Sequence, residues 1–394
     1  MGVEKRTRIL FVNPHTVLNG ANLAFFNLVK NLNPSRFESI GLDFVKPGEV
    51  KFVQRFYQYY HKIFPFYPQK SISRLQTLLC HGPLTLKALH RTRPHLIYLN
   101  GFISHAQLLL FFWLLKPFYR FKLILHLHET GWALESKSRL ARYLNFNLPD
   151  RLITVSKVGA KAANEYGISD HKIEILPETI DTSAIDWALD GPAKVRSELL
   201  VRVQKKMVLM GCGSIQERKG FDIFCSTMEI LTTEYKLNNL FFLWIGDAPD
   251  GSAQKFKESV LSRLEEFGIR ERLHITGMVY PPHSYQRLAD VYLMTSRDDP
   301  FPLTTLEALY LGLPVVYFDV GGTPEAVGGL GYKAGRPSAQ QMASAVKRLL
   351  DNWPESEKLR TLRRERVLAN YTPQIVVPRL EKFFGSVLGW EEGL

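Results

Sequence analysis

The stretch from Ser296 to Glu325 reads S-R-D-D-P-F-P-L-T-T-L-E-A-L-Y-L-G-L-P-V-V-Y-F-D-V-G-G-T-P-E, and its reading decides the fold. The apolar run Val291 to Thr295 before it reads as a buried parallel strand, Pro300 and Pro302 mark a turn, and helical spacing starts near Thr304. A helix N-terminus behind such a loop offers backbone N–H groups and the positive end of the helix dipole to a phosphate or to sugar hydroxyls. Asp299 and Glu307 lie eight residues apart, one carboxylate at the mouth of the loop and one on the first helical turn. Two acids so placed can hold two different parts of one ligand. Without a ligand, the same stretch would be an ordinary strand-loop-helix unit of a Rossmann-like domain.

The stretch resembles the retaining GT-B glycosyltransferases of family 4, whose Glu-x7-Glu motif is written E-G-F-G-L-x-x-x-E-A. Here D-P-F-P-L-T-T-L-E-A sets Asp299 at the first acid and Glu307 at the second. The resemblance implies that Asp299 contacts the donor sugar and Glu307 the ribose of its nucleotide. Aspartate reaches about one methylene less far than glutamate, and each proline removes an N–H where the family has glycine. The amides of Phe301, Leu303 and Thr304 remain as donors. The implied fold class is α/β with GT-B architecture: two Rossmann-like, doubly wound parallel-sheet domains facing each other across a cleft. The implied activity is transfer from a nucleotide-sugar with retention at the anomeric carbon.

Working outward, Met207 to Gly213 reads as a buried strand ending in glycine, followed by S-I-Q-E-R-K-G-F-D. Gln216 stands where the dinucleotide fingerprint needs its third glycine, so that motif is absent. Arg218 and Lys219 sit side by side before a helix starting near Gly220. The family sets an Arg and a Lys here against the donor diphosphate, the Arg usually five residues earlier, where this chain has Ser214; Arg218 is the substitute, and Gly213 lies at the same site. Leu240 to Gly246 and His274 to Val279 read as further strands, and in relatives the backbone near Gly277 and Val279 frames the base. Thr323, Pro324 and Glu325 have the chemistry of a helix start: cap, proline, acid in the first turn.

In the N-terminal half, Arg8 to Asn13 is a strand leading to a loop with Gly20, where relatives carry a Gly-rich turn; Gly20 either lets a ligand approach the backbone or is a simple turn glycine. Strands follow at Ser39 to Phe44, His95 to Asn100 and Arg151 to Ser156, helical patterns at Ser71 to Arg91, and a mostly buried helix at Ile103 to Leu115. Phe121 to His128 alternates so that His126 and His128 share one face. His128 lies at the carboxyl end with Glu129 behind it, where the family's histidine reaches the donor sugar; His126 reads as structural. In I-E-I-L-P-E-T-I-D, Glu178 and Thr179 replace the first two residues of the family's N-G-I-D, and the hinge is expected just after Asp181. The polar segment Trp187 to Glu198 reads as linker. The domains are then 1–185 on the acceptor side, 186–372 for the nucleotide-sugar, and 373–394 as a helix crossing back.

With 394 residues and 45% hydrophobic content the chain suits two domains of about 180 residues. Three widely spaced cysteines, without zinc spacing and with no Asp-x-Asp, point to a reduced, metal-free protein whose only co-substrate is the nucleotide-sugar. The longest apolar run is too short for a membrane helix and no signal peptide is visible, so a cytoplasmic protein is expected. The formal net charge of +12 raises nucleic-acid binding, but no stretch resembles such a module. A sugar-nucleotide epimerase or hydrolase on the same scaffold, or a non-catalytic basic binding protein, are the alternatives. The charge is concentrated: residues 50–128 hold eleven Lys and Arg and no Asp or Glu. Interleaved aromatics from Phe56 to Tyr67 make that segment a candidate anionic-membrane surface, with peripheral location at the inner face and a glycan or lipid-linked acceptor.

Overall fold

The computed structural model describes residues 6–16, 19–45, 50–66, 74–103, 106–191, 195 and 197–390. The chain divides into two units, 1–179 with 373–394, and 180–372. The strands of the first are β1 (Thr7–Thr16), β2 (Phe37–Val45), β3 (Lys62–Phe66), β4 (Leu96–Asn100), β5 (Lys122–Leu127), β6 (Arg151–Thr154) and β7 (Ile173–Ile175). They form one parallel sheet in the order β3-β2-β1-β4-β5-β6-β7. The second unit holds β8 (Met207–Cys212), β9 (Leu240–Ile245), β10 (Leu273–Ile275), β11 (Val291–Met294), β12 (Val315–Phe318) and β13 (Tyr332–Gly335), parallel in the order β10-β9-β8-β11-β12-β13.

Sheets covered on both faces need strands that are apolar throughout, and Leu-Phe-Phe-Leu-Trp-Ile of β9 is buried at every position. The two faces of β1 divide by strand alternation: Ile9 and Phe11 pack with Phe25, Tyr98 and Phe384, while Leu10 and Val12 pack with Ile97, Leu99 and Leu125. The last helix, Pro373–Leu388, belongs to the first unit, where Val376, Leu380 and Phe384 join the Phe25 and Phe37 cluster and Glu381 accepts from the Asn33 amide at 2.8 Å. In each sheet the strand order reverses once, between β1 and β4 and between β8 and β11, which opens a crevice beyond the carboxyl ends of those strands.

Several expectations are corrected. The boundary lies at Thr179 rather than after residue 185. Asp181 caps the helix Thr182–Asp190, and Asp186 on it accepts from Tyr310 at 2.7 Å and from Arg364 at 3.0 Å, which ties the helix to the second unit. Most of the supposed linker is the end of that helix and the start of the next, Ser197–Val203, with residues 192–194 and 196 outside the description. The aromatic run near Phe56 is largely inward: the Phe56 ring stacks on Phe26 at 4.2 Å, and Tyr60 and Phe64, on either side of the start of β3, are buried. Tyr67 lies outside the described residues. Conversely, the helix Ala106–Tyr119 buries only one face. The strand expected over His274 to Val279 is shorter, Leu273–Ile275, with Gly277 held to Gly246 by an isolated bridge.

Candidate functional site

In the second unit the site grows from the β8/β11 reversal. Met294 ends β11, and the loop that follows carries Asp299, only 6% exposed. Its position is fixed from two sides. Gly321 and Gly322 lie against it so closely that a Cβ on Gly321, at φ +59°, would stand 2.1 Å from the Asp299 carbonyl oxygen, which also accepts from the Gly322 amide at 2.9 Å. This is what the G-G before Thr323 is for. That helix, Thr323–Val327, is capped by Gly322, with Thr323 itself buried, so the expected cap shifts by one residue.

After β8, a turn at Glu217–Lys219 closes on Gly220, which is left-handed and packed against the Thr295 carbonyl. The turn sets Lys219 Nζ 2.5 Å from Asp299 Oδ2. Arg218 Nη1 donates to the Asp298 carbonyl at 2.8 Å and stands 3.9 Å from Asp299 Oδ2. Arg297 braces both loops: it donates to both oxygens of Asp222 at 2.8 and 2.6 Å and to the Glu217 carbonyl at 2.5 Å, while its amide donates to the Arg218 carbonyl. Two cations, with side chains 36% and 20% exposed, thus flank a buried carboxylate. Such a group can accept an anionic ligand without first assembling.

Glu307 lies on the second turn of the helix Leu303–Tyr310 rather than the first. It accepts from Gln286 Nε2 at 2.5 Å, and Gln286 Oε1 meets His283 Nδ1 at 2.9 Å. Burial pushes the Glu307 carboxyl up, against the opposing effects of His283 and Gln286. Pro302 is the cap of this helix, so the amides of Leu303 and Thr304 fall in its first turn; Thr304 Oγ1 bonds the Tyr292 hydroxyl at 2.7 Å. Phe301 is buried with its ring against Tyr371, 5.4 Å between centroids, so its side chain anchors the loop. Gly213 follows β8, its amide donating to the Ile245 carbonyl at 2.9 Å and its carbonyl accepting from Trp244 Nε1 at 3.0 Å. Gly277 and Val279 lie beyond β10, Gly277 at φ +76°.

In the first unit, Asn13 on β1, Asn22 on the helix Gly20–Asn31 and Asn100 at the end of β4 are all buried, with Asn100 Nδ2 donating to Asn22 Oδ1 at 3.1 Å. Gly20 is the first, exposed residue of that helix, which Asn19 caps by accepting from the Asn22 amide at 2.9 Å. His128 lies just past β5, with Nε2 2.8 Å from Asn100 Oδ1 and Nδ1 2.7 Å from Glu178 Oε1. Both contacts are to acceptor oxygens, an arrangement that a ring donating from both nitrogens, the imidazolium, satisfies. Burial alone would lower its pKa, but the Glu178 carboxylate, helped by Glu129, outweighs burial and raises it. The acid that serves the ring is therefore Glu178, fifty residues on. Glu129 instead accepts from the His128 and Phe102 amides at 3.1 and 3.3 Å. His126 is buried beside it, ring centroids 4.1 Å apart, and bonds the Tyr98 hydroxyl through Nδ1. Burial, with the neighbouring His128, drives its pKa well down and keeps it neutral.

Sequence reasoning passed over Gln286, His283, Arg297 and Asn100, which carry no motif and matter only through the groups they hold. Glu178 left one signal: an acid where the family has Asn. Among the described residues no three His, Cys, Asp or Glu side chains converge as a metal site.

Two family descriptions match the chain, Glycosyltransferase Family 4 over residues 19–184 and Glycosyl transferases group 1 over 206–352. The O-antigen biosynthesis glycosyltransferase WclY of Escherichia coli is 30% identical over 42% of this chain and 42% of its own length. The 2-deoxystreptamine N-acetyl-D-glucosaminyltransferase of Niallia circulans is 24% identical over 55% of this chain and 54% of its own. The chain thus spans about half the length of these relatives. Among solved structures, Anabaena Alr3699/HepE in complex with UDP-glucose superposes with a TM-score of 0.78 at 18% identity, covering 97% of this chain and all of that one. By these matches and its fold, the chain is a GT-B protein made of a glycosyltransferase family 4 domain followed by a glycosyl transferases group 1 domain.

Proposed function

We propose that the chain is a glycosyltransferase moving a sugar from a nucleotide-sugar donor to a glycan or lipid-linked acceptor, with retention at the anomeric carbon, in surface polysaccharide or glycolipid synthesis. The observation that carries this reading is the pair of cations at the β8/β11 reversal, Lys219 on Asp299 at 2.5 Å and Arg218 beside it. Breaking the bond between the anomeric carbon and the diphosphate oxygen sends its electron pair to the phosphate, and charge grows there in the transition state. Fixed cations and helix N–H groups at that point lower the barrier most. Arg218, Lys219 and the amides of Leu303 and Thr304 supply them, so no metal is called for. The acceptor oxygen bonds the anomeric carbon from the face the diphosphate leaves, and its proton passes to the departing phosphate oxygen. Asp299 orients the donor sugar, Glu307 the ribose, Gly213, Gly277 and Val279 line the nucleotide, and His128 contacts the sugar. The related enzymes' printed activities and the UDP-glucose held by HepE support a nucleotide-sugar donor.

The test separates nucleotide from sugar. Asp299→Ala should depress transfer while nucleoside diphosphate binding stays within about twofold, and Glu307→Gln should weaken that binding about tenfold or more, as loss of a charged hydrogen-bond acceptor does. Calorimetric titration with UDP, GDP and ADP, beside a product assay with and without acceptor, measures both. Equal loss of both functions in Asp299→Ala would make that residue a loop support, and donor conversion without acceptor would make the protein an epimerase.

A further inference from the structure

The helix Ala106–Tyr119 reads A-Q-L-L-L-F-F-W-L-L-K-P-F-Y, apolar nearly all round, yet it lies on the surface of its unit. One face, Leu108, Leu109 and Phe112, is in the core. The other face shows Leu110, Trp113, Leu114 and Phe118 to solvent, with Phe118 81% exposed and Leu114 59%. Positions 110, 113, 114 and 118 follow one another at helical spacing, so this is a continuous stripe rather than scattered exposure. Two shallow clefts lie along it, one of about 460 Å³ lined by Phe118 and one of about 510 Å³ lined by Trp113 and Leu114. Arg93 and His90 rim the first, Arg120 and Lys122 the second, and both have apolar floors from Leu115 and Tyr119 or Trp113 and Leu114. Lys87 and Arg91 are exposed on the neighbouring helix, Arg74–Thr92, which also supplies His90. Lys116 alone is neutralised in this group, by Asp150 at 2.6 Å, among the described residues.

We infer that this stripe and its basic rim are the surface by which the protein docks on an anionic lipid bilayer. The occupant follows from the charge. Interfaces between proteins are depleted in lysine, whereas an apolar stripe ringed by cations of one sign matches acyl chains below and phosphate headgroups around. This moves the membrane surface away from the aromatics of Phe56 to Phe66, which are largely packed inward. It stands independently of the transfer reaction.

The test is co-sedimentation of the full chain with phosphatidylglycerol-containing vesicles against pure phosphatidylcholine vesicles, at low and at half-molar salt. Expected are binding to the anionic vesicles alone, its loss at high salt, and a blue shift of tryptophan emission on binding that Trp113→Phe removes. Lys87→Glu, Arg91→Glu and Arg120→Glu together should lower partitioning by about a hundredfold, at about fivefold per cation lost. Phe118→Ser, at an exposed site, should lower it about tenfold without changing the melting temperature. Equal binding to both vesicle types, or unchanged binding by these variants, overturns the inference. So does a concentration-dependent dimer that Phe118→Ser abolishes in a chain that ignores lipid, since the stripe would then belong to a second copy.

Discussion

The two strand-order reversals share a topology and differ in how they treat charge. At β8/β11 most charges have a counter-charge or amide within hydrogen-bond distance, Lys219 on Asp299, Arg297 on Asp222 and Glu307 on Gln286, while Arg218 stands off Asp299 at 3.9 Å. Around β1/β4 protonation states shift instead. Burial keeps His126 neutral, Glu178 holds His128 charged against burial, and Asp43, on β2 beside Asn13 of β1, is wholly buried with neither carboxyl oxygen bonded among the described residues. A region that neutralises charge by pairing answers to mutation of a partner, and one that does so by protonation answers to pH.

Asp43 gives the largest expected effect. Burial pushes its carboxyl up to about 8. Its folded pKa is raised above the unfolded one, so the neutral acid's contribution is complete below the unfolded pKa and is lost as pH rises through the folded value. Each pH unit within that window removes about 1.4 kcal/mol of stability, or on the order of 4 kcal/mol between pH 5 and 8. Asp43→Asn should flatten that slope. Thermal unfolding of both proteins at pH 5 and pH 8 measures it, and parallel slopes would end the contrast between the two regions.

Next in size is the loss at the paired region. Lys219→Ala removes a charge-assisted contact to the leaving diphosphate and also strips a buried carboxylate of its cation, so turnover should fall by about 2 to 4 kcal/mol in barrier terms. Arg218→Ala, at the more exposed cation, should cost less. Neither loss should depend on pH between 6 and 8. Donor consumption measured across that range checks both, and wild-type turnover in the two variants would move the diphosphate elsewhere.

The same contrast governs what could be read in advance. At β8/β11 the site is local in sequence: a strand, a loop of prolines or paired cations, and a helix start announce themselves, so Asp299, Glu307, Arg218 and Lys219 are legible. The helix phase was not, because Pro302 is the cap and the helix starts at Leu303, one residue early, which puts Glu307 just past the first turn. In the first unit the decisive contact joins His128 to Glu178 across fifty positions, and nearness in sequence favoured Glu129, which caps backbone amides instead. Alternation gave the shared face of His126 and His128, but periodicity could not tell the buried face of Ala106–Tyr119 from its exposed one, since both are apolar. Nor could composition show that the Phe56 aromatics turn inward onto Phe26. Most of the strands followed from apolar runs, but their order and the reversal points were not read from the sequence, and β3, rich in Lys, Pro and Phe, carried no clean strand signal.

The smallest effect tests whether protonation is also how the first unit serves chemistry. Glu178 touches no reacting atom in the proposed scheme and acts through His128, so it is a positioning residue. With the carboxylate present, His128 stays protonated above its ordinary range and offers N–H donors; in Glu178→Gln the amide keeps a hydrogen-bonding shape but not the charge, and the ring should lose its proton at lower pH. Glu129 on one side and neutral His126 on the other remain, so activity should fall on the alkaline side and change little on the acid side. The alkaline limb of the kcat/KM profile should move to lower pH. Ring nitrogen shifts of His128 in labelled protein should titrate in step. If the ring titration moves and the rate profile does not, His128 is not at the donor sugar, although its pairing with Glu178 stands. If neither moves, the pairing does not set its charge, and the proposed contrast between paired and protonation-controlled regions fails at its most direct point.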